Sequence, residues 1–164
     1  MRTFLIMAAV AIVSSLATYT VVASAAQPDR DTVADIIQAD NGLFDVLAAA
    51  LVKTELMGEL DGKQQYTVFA PLDKAFVALF DVADEAEALV VIENYDEVEL
   101  TNLLLNHVTH GERKSQSLKN SKHYHMLNGN LVPSEQIEAA GMAAKDKQAS
   151  NGMVHVMDDI LLPE

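Results

Sequence analysis

Five histidines are the side chains of this 164-residue chain best suited to acid-base or metal chemistry near neutral pH: His107, His110, His123, His125 and His155. His155 lies in the stretch NGMVHVMDDILLP, residues 151–163. If that stretch is extended, Met153, His155 and Met157 share one face and Val154 and Val156 the other, so both faces read as buried. A buried imidazole needs hydrogen bonds, and no second ligand type stands at chelating spacing around it. The pattern therefore predicts a core histidine that fixes the strand against neighbouring loops. His107 follows the apolar run Leu103, Leu104 and Leu105 and reads the same way. His110, beside Gly111, falls in a turn and reads as solvated. His123 and His125 point to one side of a strand about 6.6 Å apart, at roughly 3.3 Å per residue, which permits chelation if the rings converge. A metal would still want third and fourth ligands, such as His110 or a carboxylate, and the spacing supplies none. The expectation is a polar strand face, with no metal and no cofactor.

Other catalytic chemistry finds no residue to carry it. Asp158 and Asp159 are adjacent, so on a strand they face opposite ways and cannot share a proton. Ser115, Ser117, Ser121, Ser134 and Ser150 sit in no G-x-S-x-G elbow, and there is no phosphate-cradling glycine loop or calcium-loop pattern.

The elements that would position these groups follow from periodicity. Ile36 and Ile37, then Leu43, Val46, Leu47, Ala50 and Leu51, recur at helical spacing and predict two short helices joined at Asp40-Asn41-Gly42. Residues 56–60 extend the apolar pattern to an Asp61-Gly62 turn. Residues 66–69 are β-branched and aromatic, as a strand should be, and Pro71 ends the run and suits the first turn of a helix. Ala75, Phe76, Leu79 and Phe80 give that helix its buried stripe. Helices are expected over 84–93 and over 97–105, the latter burying Leu100, Leu103 and Leu104. Beyond Gly111 the texture changes to short strands, with Asn128-Gly129 as the turn of a hairpin whose arms are 122–127 and 131–132. Helices crowd the first half and strands the second, which argues for an α+β domain.

Composition bounds the rest. A chain of this length with 50% hydrophobic residues builds one ordinary domain. Residues 1–25 read as an export signal peptide: Arg2, an apolar stretch over 4–13, and the small-residue site Ala23-Ser24-Ala25. Left uncleaved, residues 4–22 come close to the length of a membrane span. A short linker, 26–30, precedes the domain, 31–164. The formal net charge is −13, and the leader holds Arg2 and no acid, so the remainder is more acidic still. Such a surface repels phosphate backbones and no basic patch is expected to offset it, so nucleic acid is excluded as a partner. Without cysteine, packing and hydrogen bonds alone hold the fold.

Three stretches now become recognisable together: YTVFAPLDKAF (66–76), LLLNHVTHGE (103–112) and NGMVHVMDDILLP (151–163). In order and spacing they resemble the two homology boxes and central histidine segment of the fasciclin domain. The lead-in GLFDVLAAALVKTELMGELDGKQQYTVFAP (42–71) resembles the helices before the first box. The likeness spans about residues 31–163. It implies a β-sandwich or wedge with helices packed along it, and an extracytoplasmic module of adhesion or interaction, not an enzyme. The residues it marks as structural motif are Thr67, Val68, Phe69, Ala70, Pro71, Phe76, His107, Asn151, Gly152, His155 and Val156. Three departures stand out. Leu72 replaces a threonine that would cap the next helix, with Asp73 as the expected substitute. Asn106 stands where a tyrosine often precedes the histidine, a neighbourhood that animal members use for integrin contact. Of an Asn-Lys-Asp-Ile-Leu motif with the same role in animal members, only Lys145-Asp146 is matched, and Lys147 replaces the isoleucine.

The expected function is thus an exported, noncatalytic fasciclin-like adhesion or interaction module, secreted, periplasmic or on the cell surface. Its contacts are expected from the turn-rich residues His110, Glu112, Arg113, Lys114, His123 and His125, because polar loops carry binding more often than packed boxes do. The expected partner is an extracellular protein or polysaccharide, or a second copy of the chain, and a membrane only through an uncleaved leader. The alternative is a carrier of a small hydrophobic ligand, a lipid or carotenoid. It draws on the methionines Met57, Met126, Met142, Met153 and Met157 and predicts an apolar pocket of roughly 300 to 1,000 Å³. A third class, a metal-dependent hydrolase, would need His107, His110, His123 and His125 to converge.

Overall fold

The computed structural model describes residues 31–39 and 42–163; the leader, the linker and the Asp40-Asn41 junction lie outside them. Six helices come early: α1 (Val33–Ala39), α2 (Asp45–Lys53), α3 (Leu56–Leu60), α4 (Asp73–Phe80), α5 (Glu85–Asn94) and α6 (Glu97–Leu105). Strand β1 (Tyr66–Pro71) lies among them, between α3 and α4. Then follow β2 (Val108–His110), α7 (Ser115–Leu118), β3 (His123–His125), β4 (Leu131–Pro133), α8 (Ser134–Ala139), β5 (Met142–Ala149) and β6 (Gly152–Met157). The α+β class expected from the pattern is what the chain adopts.

A four-stranded sheet in the order β2-β1-β6-β5 organises the molecule. Its two central strands, β1 and β6, run parallel, with Tyr66 opposite Gly152 and Phe69 opposite His155. Parallel neighbours cannot be joined by a hairpin, so everything from α4 to β5 forms one long crossover between them. Both strands are buried along their whole length, as strands covered on both faces must be. On one face Val68, Ala70, Val154 and Val156 join Leu47, Leu51, Phe76 and Leu100 of the helices in the larger core. On the other, Phe69 and Met157 pack with Leu118, Tyr124, Met126, Val132, Ile137 and Leu161, a smaller core roofed by the β3–β4 hairpin, α7 and α8. The sheet is thus the middle layer between a helical bundle and a mixed cap.

The simple order of helices then strands does not hold in detail. β1 belongs to the helical half yet sits at the sheet's centre, and α7 and α8 interrupt the strand half. With four and six residues these two helices are too short to show a helical period. β5 was equally hidden. It is an edge strand with a bulge between Ala144 and Lys147, and its exposed residues do not alternate.

Two features of the last box show why its residues are what they are. At Gly152 a Cβ would collide with the carbonyl oxygen of Tyr66, so only glycine lets β6 lie beside β1. Asn151, buried just before it, uses its whole amide. Its Oδ1 accepts from Val33 N–H at 2.9 Å, and its Nδ2 donates to the carbonyls of Leu60 at 2.6 Å and Gly62 at 2.9 Å. One side chain thereby ties the start of α1 and the end of α3 to the sheet.

Gly152→Ala is expected to destabilise the protein by about 3 kcal/mol, the upper end for overpacking. Urea unfolding checks this, and an unchanged midpoint would show that β1 and β6 can separate without cost.

Candidate functional site

Thr67 of the first box and His155 of the last converge on one loop, 110–114. Thr67, fully buried in β1, donates its hydroxyl to the Gly111 carbonyl at 2.7 Å and accepts from Arg113 N–H at 2.8 Å. Gly111 N–H in turn donates to the Gln65 carbonyl at 2.8 Å. From the neighbouring strand, His155 Nε2 donates to the Arg113 carbonyl at 2.8 Å, and its Nδ1 accepts from Asp146 N–H at 3.2 Å. A carbonyl can only accept and an amide N–H can only donate, so these partners dictate the neutral tautomer carrying hydrogen on Nε2. Burial lowers the imidazole's pKa from its usual value and favours that neutral form. Its ring stacks on Phe69 with centroids 5.7 Å apart. The Arg113 backbone is therefore gripped at both its N–H and its carbonyl, while His110, Glu112, Arg113 and Lys114 all stand exposed.

Asp146 extends the arrangement. It occupies the β5 bulge at φ +59°, and its carboxylate accepts from Ser115 N–H at 2.7 Å and Ser115 Oγ at 2.6 Å. Those bonds hold its pKa below the usual carboxylate value and lock the start of α7 against β5.

A second polar centre fastens the C-terminal segment. His107 Nδ1 donates to the Leu103 carbonyl at 2.8 Å and Nε2 accepts from Leu161 N–H at 2.9 Å. Complete burial pushes its pKa down to about 4. Asn106, also fully buried, donates to the Leu161 carbonyl at 2.9 Å and accepts from the side-chain amides of Asn128 at 3.0 Å and Asn130 at 3.2 Å. The adjacent pair thus takes both backbone groups of Leu161, as a neighbouring strand would. Residue type alone hid this role of Asn106; the only cue was an amide beside a histidine at the end of an amphipathic helix.

Convergence of four histidines, which a hydrolase would need, does not occur. Both ring nitrogens of His107 are committed to backbone, and the His110 ring lies 5.7 Å from that of Tyr66. His123 and His125 are exposed on β3 while Tyr124 between them is buried, so they share the outer side as expected, with no third ligand beside them. Among the described residues the one group of three metal-capable side chains is Asp45, Asp73 and Glu85, and it holds no histidine. Asp73 is explained by the backbone. Its two oxygens accept from Asp45 N–H at 3.1 Å and Val46 N–H at 2.9 Å, so it caps α2. Leu72 leaves α4 without a side-chain cap, and the expectation that Asp73 supplies it is corrected here. Burial raises the pKa of Asp73, and burial followed by the charges of Asp73 and Asp45 raises that of Glu85.

Two of the concavities among the described residues bear on ligand binding. An apolar groove of about 300 Å³ is lined by Leu51, Leu56, Leu60, Tyr66, Leu105 and Leu127, with Glu59 at its edge. A larger one, about 620 Å³, opens between α7, α8 and the start of β5, where Lys119, Lys145 and Glu138 meet Ser115, Gln116 and Asn120. The expectation that no basic patch offsets the acidic surface averages over an uneven chain. Residues 31–111 carry three Lys or Arg against sixteen carboxylates, but residues 112–147 carry six against four. That asymmetry was legible in the sequence; its gathering into a groove was not, because α7, α8 and β5 were not.

A fasciclin domain model matches residues 42–163 of the chain. Protein sll1483 of Synechocystis is 30% identical over 148 residues, covering 87% of this chain and 79% of that protein. The transforming growth factor-beta-induced protein ig-h3 of Sus scrofa is also 30% identical over 148 residues, 83% of this chain but 20% of that much longer protein. Human periostin is 25% identical over 81% of this chain and 16% of its own length. Among solved structures, a FAS1 domain pair from the insect cell adhesion molecule Fasciclin I has the same fold, with a TM-score of 0.57 at 17% identity over 82% of this chain and 51% of that one.

His155→Ala removes two hydrogen bonds and opens a cavity, so a loss of about 2 to 4 kcal/mol is expected, against less than about 0.5 kcal/mol for His123→Ala or His125→Ala. Chemical denaturation of the three variants decides. His107 contributes a pH dependence of definite sign. Its folded pKa is depressed, so the folded and unfolded states bind protons equally above about pH 6.5, and stability falls as pH drops from there to about 4. The loss is up to about 3 kcal/mol at 1.36 kcal/mol per unit. NMR should find this imidazole neutral at pH 5.5; a ring half-protonated near pH 6.5 would contradict it.

Proposed function

The chain belongs to the fasciclin domain family, and from that premise we propose that it is a noncatalytic interaction module of the cell surface or surrounding matrix, exported through residues 1–25. One observation carries the reading: the buried Thr67 and His155 of the boxes take backbone partners, and what these two hold in place is an exposed polar loop. The Thr67 hydroxyl and both ring nitrogens of His155 are bonded to backbone groups, and both side chains grip Arg113. A site for chemistry keeps reactive atoms accessible, whereas a site for docking keeps a rigid loop accessible. A loop held at both ends loses little conformational freedom when a partner binds, which favours affinity. The solved structure of similar fold comes from a cell adhesion molecule, which supports this direction.

The second reading, a carrier of a small hydrophobic molecule, is favoured by the groove beside Leu51, Leu56 and Leu127, whose volume of about 300 Å³ is at the lower limit for a small-molecule pocket. It is the lesser reading because the groove is small and open.

Washed envelope and matrix material from the producing organism should retain the purified protein saturably. Arg113→Glu with Lys114→Glu should weaken retention several-fold at an unchanged melting temperature. Retention that is absent altogether, with a lipid or pigment travelling as extra mass in native mass spectrometry, would replace the module with the carrier.

A further inference from the structure

We propose that the groove between α7, α8 and β5 binds an acidic polysaccharide, its lysines pairing with the carboxylates or sulfates and its neutral side chains with the sugar hydroxyls. The inference rests on the interaction-module reading and names the partner class for it. Charge is the first argument. The chain is −13 overall, yet its cations segregate into the segment that builds this groove. Lys119 and Lys145 line it, and Lys114 directly precedes α7 near enough to Asp146 for their charges to interact. A polyanion is repelled by the rest of the surface and attracted here, so the acidic remainder of the molecule sets the direction of approach.

Two acids temper this charge, and neither is bound tightly to a groove lysine. Asp146 stays ionised, but both its carboxylate oxygens are turned to Ser115. Glu138 stands 3.9 Å from the Lys119 ammonium with both side chains well exposed, a loose pair of little strength that a ligand anion can displace. Ser115, Gln116 and Asn120 add hydroxyl and amide groups suited to sugar hydroxyls. No aromatic ring lines the groove, so it lacks the stacking platforms of a single-stranded nucleic acid site. The walls are preformed: the Asp146–Ser115 bonds join β5 to α7, and Leu118 and Ile137 seat both short helices on the smaller core. A polysaccharide also repeats its epitope along one chain, so it offers a single module many equivalent places to bind. A second copy of the chain is the weaker fit, because two molecules of this net charge repel.

The test is titration calorimetry of the purified protein with polygalacturonate oligosaccharides, with dextran oligosaccharides of equal length as the neutral control. The expected result is saturable binding of the acidic sugar alone, weakened by salt. Lys119→Glu with Lys145→Glu should reduce it about tenfold or more at an unchanged melting temperature. No binding by the wild type, equal binding by the double variant, or equal binding of dextran overturns the proposal. Concentration-dependent self-association in sedimentation, abolished by the same two substitutions, would overturn it in favour of a second copy. The two levels separate cleanly: envelope retention that survives the double substitution sinks the groove and leaves the module, whereas a wild type never retained sinks the module itself.

Discussion

Everything in this molecule depends on β1 and β6 lying side by side, parallel and buried on both faces. The approach is close enough that Gly152 has no room for a side chain beside Tyr66. Because both faces are covered, polar side chains on these strands must find partners inside the protein, and the partners within reach are the backbone groups of loops. Thr67 and His155 take up those of residues 111, 113 and 146, and Asn151 those of residues 33, 60 and 62. Satisfying the interior polar groups and pinning the exterior loops are one and the same set of bonds.

Thr67, Asn151 and His155, among the family's recognisable residues, thus have backbone groups as their partners. Their bonds fix where the loops beside them lie. No buried side-chain nitrogen or oxygen lacks a partner among the described residues. On the exposed rim around α7 and β5 the same bonds leave lysines, an arginine and neutral polar groups on a firm base.

The departures from the family pattern are compensated locally. Asn106, in the place of a tyrosine, becomes the acceptor for two asparagine side chains and the donor to Leu161, so it closes the molecule's C-terminal end together with His107. Asp73 turns from the helix it begins to the helix across from it, and α4 starts without a cap. Both changes redirect a polar group to the nearest orphan backbone atoms, the response that burial requires.

Much was legible from residue order alone. The periodicity of Ile36 through Leu60 and of Leu100 through Leu104 located helices, and alternation at Met153 through Met157 located a strand covered on both faces, because each is a local pattern with a local cause. The family, the α+β class and the concentration of cations after residue 111 were likewise readable. Only the tertiary structure decided that β1 pairs with β6 in parallel across some eighty residues, that Asp73 caps a distant helix, and that two short helices and a bulged edge strand gather Lys119 and Lys145 into one groove. Those outcomes depend on which backbone groups remain unpaired once the layers close. No window of sequence contains that information, because the competing partners come from opposite ends of the chain.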